Sequence, residues 1–98
     1  MFVTVLAPEL IAAVAPLSAI GGSMLGSHAM LAGVHGALMP PSADPSALLA
    51  HAFTHGHHAM FQGVAAEAVG VHMMTVGTMG ASGFAYAVGE ATNLATMF

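Results

Sequence analysis

Histidine is the chemically versatile side chain that this sequence carries in number, with seven copies among 98 residues. His51, His55 and His58 stand at i, i+4 and i+7, so a helix through them sets all three on one face. Imidazoles at that spacing can hold zinc, nickel or copper. His28 and His35 stand seven apart earlier in the chain. A hairpin folded about residues 41–42 brings His28 level with His55 as a fourth ligand. The competing reading makes them surface or interface histidines, because there is no Cys and no carboxylate beside them. That plainer reading is preferred, so no metal and no cofactor is expected. Catalysis has less support. No GxSxG elbow accompanies the serines, and Glu67 and His72 lie about 140° apart around a helix. Gly77 and Gly80 follow no strand, so they form no phosphate cradle. The chain is expected not to be an enzyme. Tyr86 and Glu90, four apart, put a ring and a carboxylate on one helix face, a compact mark that a receptor can read.

The composition narrows the function further. The chain is 57% hydrophobic and 4% charged, with no Lys or Arg. Glu9, Asp44, Glu67 and Glu90 are its only acids. A surface without basic side chains cannot neutralise phosphates, which excludes nucleic-acid binding, and it has no pull toward anionic lipid headgroups. The absence of Cys excludes disulfides and thiol chemistry, and the high hydrophobicity excludes ordinary disorder. From Leu10 to Ala43 there is no charged side chain, ample length for the roughly 20 residues of a membrane span. Gly22 and Gly26 supply a GxxxG spacing there. Against insertion stand Pro16, the serines, His28 and His35, and the lack of flanking Lys, Arg or Trp anchors. A signal peptide fits poorly, since a basic n-region is missing and Glu9 falls within the apolar stretch.

Two helices must position these groups. Pro8 and Glu9 start one, with proline in the first turn and an acid facing the helix dipole. Pro40 and Pro41 end it. Asp44 and Pro45 read as the N-cap and first residue of the next. The spacing predicts a single domain over 1–98, with helices at about 8–38 and 45–92 and a Pro-rich loop at about 39–44. Leu10, Ala13, Leu17, Ile20, Met24, Ser27, Leu31, Val34 and Leu38 form a heptad-like seam on the first helix, which Pro16 is expected to kink near Ala12–Ala13. The second helix is apolar around much of its girth. Phe53, Met60, Phe61, Val64, Val71 and Met74 are therefore candidates for a partner interface. The fold class is all-α: a long antiparallel two-helix hairpin, too thin to close a core alone, that completes a four-helix bundle with a partner.

Taken in order, these pieces resemble the PE family, named for a Pro-Glu pair near the N-terminus. The likeness is carried by residues 2–5 leading to Ala7-Pro8-Glu9-Leu10, and by Pro40-Pro41-Ser42-Ala43-Asp44 followed by Ser46-Ala47-Leu48. It continues through His58-Ala59-Met60-Phe61-Gln62 and Ala65-Ala66-Glu67-Ala68 to the run from Ser82 to Asn93. The resemblance implies a non-enzymatic interaction protein that pairs with a PPE-family helical partner. It further implies export by a type VII (ESX) secretion system, with Tyr86 and Glu90 as the YxxxD/E signal and a secreted or cell-surface location. Pro16, Phe61 in place of the common Tyr, and the absence of Lys and Arg depart from the family pattern. A membrane-embedded or envelope-associated hairpin is the alternative.

Overall fold

Proline placement sets the helix starts, while the helical stretches end at Gly36 and Thr96 and not at about 38 and 92 as the spacing predicts. In the computed structural model, which describes residues 6–98, α1 covers Ala7–Ala12, α2 Val14–Gly36 and α3 Pro45–Thr96. Residues 2–5, which carry part of the family resemblance, lie outside the described chain. Pro8 sits at the start of α1, with Glu9 in the first turn. The break between α1 and α2 falls at Ala13, whose backbone stays right-handed at φ −69° and ψ −19°. Pro16 has no N–H to give the carbonyl four residues back, that of Ala12, and its ring crowds that carbonyl. The bonds on either side persist, from Ala13 N–H to Glu9 O at 3.0 Å and from Leu17 N–H to Ala13 O at 3.3 Å.

Asp44 caps α3. Its Oδ1 accepts from the Ala47 N–H at 2.9 Å and from Ser46 Oγ at 2.6 Å, while Ser42 Oγ donates to Oδ2. The Ser42 hydroxyl, then that of Ser46 and the Ala47 amide, hold the Asp44 carboxyl well below the usual carboxylate range.

The chain forms two compact units, one of Gly22–Gly70 and one joining the described residues up to Gly21 with Val71–Phe98. Each is an antiparallel pair of helical segments. In the unit of Gly22–Gly70, the His28 ring meets Phe61 edge-on with centroids 6.0 Å apart, and the Gln62 side-chain amide donates to the His28 carbonyl at 3.3 Å. The connection at 37–44 lies along the first turns of α3. Leu38, Met39 and Pro41 line a cavity of about 250 Å³ together with Ala47, Ala50 and His51. This shifts the register by about two helical turns from a fold about residues 41–42. His35 stands against His55, with ring centroids 4.8 Å apart, and His28 stands against Phe61 instead. The contact of His51 with the Leu38 carbonyl holds the connection beside the opening turns of α3, so those turns face the loop and not α2.

The other unit packs α1 and the start of α2 against the later part of α3. His72 Nε2 donates to the Leu17 carbonyl at 2.7 Å. Gly21 and Gly83 are buried. A Cβ on Gly83 would stand 2.7 Å from Ile11 Cγ1, and one on Gly21 would stand 3.0 Å from the His72 ring. The backbones meet where side chains are absent.

Little apolar volume is buried. The buried hydrophobics are Ala7, Ala65, Val69 and Val76, and among the described residues no large side chain is fully buried. The seam departs from the sequence reading. Leu10, Ala13, Leu17 and Met24 are at least half-buried, but Ile20, Leu31, Val34 and Leu38 are exposed. Gly21, His28 and His35 take the inner positions instead.

Two glycine substitutions test this packing. Gly83→Ala gains about 1 kcal/mol of helix propensity but loses about 1–3 kcal/mol to overpacking against Ile11, so stability falls. Gly70→Ala, with open space around its Cβ, gains the propensity alone. Urea unfolding of the chain held in solution by mild detergent, followed by circular dichroism, should order them Gly70→Ala above the parent and Gly83→Ala below it.

Candidate functional site

Three features carry chemistry: a histidine cluster in the unit of Gly22–Gly70, an exposed apolar surface on α3, and the Tyr86–Glu90 face.

Residue spacing brings the cluster together. His51, His55 and His58 share one face of α3, and α2 contributes His35. His51 Nε2 lies 2.9 Å from both the Leu38 carbonyl oxygen and His55 Nε2. His35 stacks on His58 with ring centroids 3.9 Å apart and planes within 5°. Its Nδ1 is shielded from solvent with no hydrogen-bond partner. Desolvation under these rings, then the neighbouring His58, His55 and His51, push the His35 pKa below its ordinary value. The Gln62 side-chain amide donates to His58 Nε2 at 3.2 Å, which uses that nitrogen's lone pair. The set His51, His55 and His58 therefore does not gather around one point. His51 and His55 come together, His58 turns to Gln62 and His35, and His28 stands apart against Phe61. Among the described residues, no three His, Asp or Glu side chains are placed to hold an ion as they stand. His35 was missed as a cluster member because its position depends on the loop's path.

The candidate interface residues are all exposed, although Phe61 also meets His28 across the helix pair. In the unit of Gly22–Gly70, Phe53 is 78% exposed and Met60 74%, with Phe61 and Val64 also exposed. In the other unit, Val71 and Met74 are exposed and border an open groove of about 550 Å³ with Leu10, Thr75, Thr78 and Met79. Thr75 and Thr78 donate their hydroxyls to the carbonyls of Val71 and Met74. With its hydroxyl satisfied locally, each threonine is less polar toward the groove than its sequence suggests.

Tyr86 and Glu90 line one open concavity with Ala85, Gly89 and Asn93. Tyr86 is half exposed and Glu90 exposed.

These features define an all-helical hairpin protein with unfilled apolar faces, and comparison with known proteins gives its family. The chain matches the PE family over residues 3–93. It is 37% identical over 89 residues to PE family protein PE13 of Mycobacterium tuberculosis, covering 90% of each chain. It is 39% identical over 93 residues to PE family protein PE8 of the same organism, covering 94% of this chain and 34% of that one. No solved structure gives a significant match. The chain belongs to the PE family.

The orphaned His35 nitrogen makes a prediction about stability. A polar atom buried without a partner destabilises the folded state, and a phenyl ring keeps the stack on His58 without that atom. In metal-free buffer His35→Phe should melt at a higher temperature than the parent. A lower melting temperature would mean that His35 makes a polar contact this account lacks.

Proposed function

We propose that this chain is a non-enzymatic interaction protein, one half of a helical heterodimer with a PPE-family protein. Its hairpin lies along a helical pair of the partner and completes a four-helix bundle. The pair is exported by a type VII secretion system through Tyr86 and Glu90, to the cell surface or the medium. The observation that carries this reading is the inversion of burial: among the described residues the buried hydrophobics are two alanines and two valines, while Phe53, Met60, Val64, Val71 and Met74 face water. Exposed apolar surface of this kind marks an interaction site, and covering it is a main driving force for association. Family membership supports the identity of the partner through the pairing that the PE resemblance implies. Glu90 supports the export signal. It stands exposed with Tyr86 on one open concavity of α3, where a receptor can reach both side chains.

A second reading has one observation in its favour. Ala7–Gly36, counted through the Ala13 break, is long and apolar enough to cross a membrane. Under that reading detergent, rather than a protein partner, keeps the chain in solution.

Expression alone and with a PPE partner separates the two. The heterodimer reading predicts aggregation alone and a soluble 1:1 complex on co-expression, with nothing retained in carbonate-washed membranes. Within the complex, Met60→Asp should weaken pairing by about 2 kcal/mol or more, because it strands a charge in an apolar contact. A dispersed monomer at micromolar concentration, or a chain that stays in the washed membrane pellet, contradicts pairing.

Export has its own test. Tyr86→Ala and Glu90→Ala should each abolish secretion while the complex still forms. Glu67→Ala, which removes an acid elsewhere on α3, should be secreted as the parent is. Normal levels of the Tyr86 and Glu90 variants in the culture medium would remove the signal from this face.

A further inference from the structure

We propose that His51 and His55, joined by His35, form a binding site for one divalent ion of the zinc, nickel and copper group. The core of the site is the approach of two Nε2 atoms to 2.9 Å across one turn of α3. Zinc binds imidazole at about 2.0–2.1 Å, which separates two tetrahedral ligand nitrogens by about 3.3 Å. A few tenths of an ångström of side-chain movement meets that distance.

Hydrogen-bond accounting shows that the present arrangement is under-satisfied. The Leu38 carbonyl can only accept, so His51 Nε2 must be the donor in their 2.9 Å contact. A protonated ring nitrogen has no lone pair left. His55 Nε2, equally close, is then left to share the same hydrogen. When the His51 proton moves through solvent to Nδ1, Nε2 regains its lone pair, and a metal ion between the two Nε2 atoms gives each neutral ring one full bond. His35 adds an independent observation: its Nδ1 is shielded and unpartnered, and its ring lies 4.8 Å from that of His55 at 72°. Because three donors do not yet converge, the site requires the His35 ring to turn out of its stack on His58 and present a nitrogen to the pair. Water completes the coordination.

The donor set selects the ion. It consists of imidazoles alone, which suit zinc, nickel and copper and not calcium or magnesium. Asp44, the acid of the adjoining loop, has its carboxylate engaged by Ser42, Ser46 and Ala47. His58 is held by Gln62 and stays outside the set. Because His35 belongs to α2 and the other two to α3, the ion ties these helices together beside their connection. The site is independent of heterodimer formation.

The test is isothermal titration of zinc chloride or nickel chloride into the full chain, stripped with chelator and held in solution by mild detergent. One ion per chain should bind with sub-micromolar affinity, accompanied by a rise in melting temperature. His55→Ala and His51→Ala should each weaken binding by about 100-fold or more, and His35→Ala by about 10–100-fold, leaving the weaker two-ligand pair. His57→Ala should bind as the parent does. Circular dichroism of each variant confirms that its helices are retained. Millimolar affinity, a loss as large in His57→Ala as in His55→Ala, or unchanged affinity in a folded His35→Ala would overturn the site.

Discussion

Two helices have only one face each to give one another, and that constraint governs this molecule. A packed pair can shelter a single seam, so every apolar residue beyond it must face water or a partner. This chain is 57% hydrophobic, far more than one seam accommodates. The unusual feature is how the seam is filled. In one unit the backbones approach at Gly21 and Gly83. In the other the inner positions go to His28, His35, His55, His58 and Gln62: His35 stacks across the gap on His55 and His58, and Gln62 donates across it to the His28 carbonyl. The bulky side chains are consequently displaced outward.

That choice links local structure to association. Glycines inside α3 weaken the isolated helix by roughly 1 kcal/mol each, and little large apolar surface is buried in return. A helix built this way gains most from being covered on its outer side. The outward threonines return their hydroxyls to their own helix, which leaves an apolar surface with few polar demands on whatever covers it. Tyr86 and Glu90 stand apart from these contacts, in a concavity of their own near the end of α3.

Helix starts were legible in the amino-acid sequence because proline and aspartate act locally, whereas the helix ends, at Gly36 and Thr96, carry no such mark. Pro8 at a helix start, the break upstream of Pro16, and Asp44 capping Pro45 need only the few residues around them. The all-helical class and the shared face of Tyr86 and Glu90 follow equally from spacing. The seam was harder to read because periodicity favours the largest apolar residue on each turn. Ile20, Leu31 and Val34 fit the stripe as well as Gly21, His28 and His35 do. Only the close approach of backbones, and polar bonds such as His72 to Leu17, decide between them. The cluster partner of His55 was hidden for a further reason. It depends on whether residues 37–44 form a tight turn or lie along α3, and the sequence pattern of that loop is compatible with both.

Methionine oxidation read by mass spectrometry tests the central claim, that a protein partner covers the outer face of α3. Met60 and Met74 are each 74% exposed, and Met97, at the chain end, is 77% exposed. In the chain unfolded in urea the three should oxidise at similar rates, which sets the reference. In the complex with the helical partner, Met60 and Met74 should become protected several-fold while Met97 continues to react. If Met60 and Met74 oxidise as fast as Met97 in the complex, the partner does not lie on this face and the account of the exposed surface is wrong.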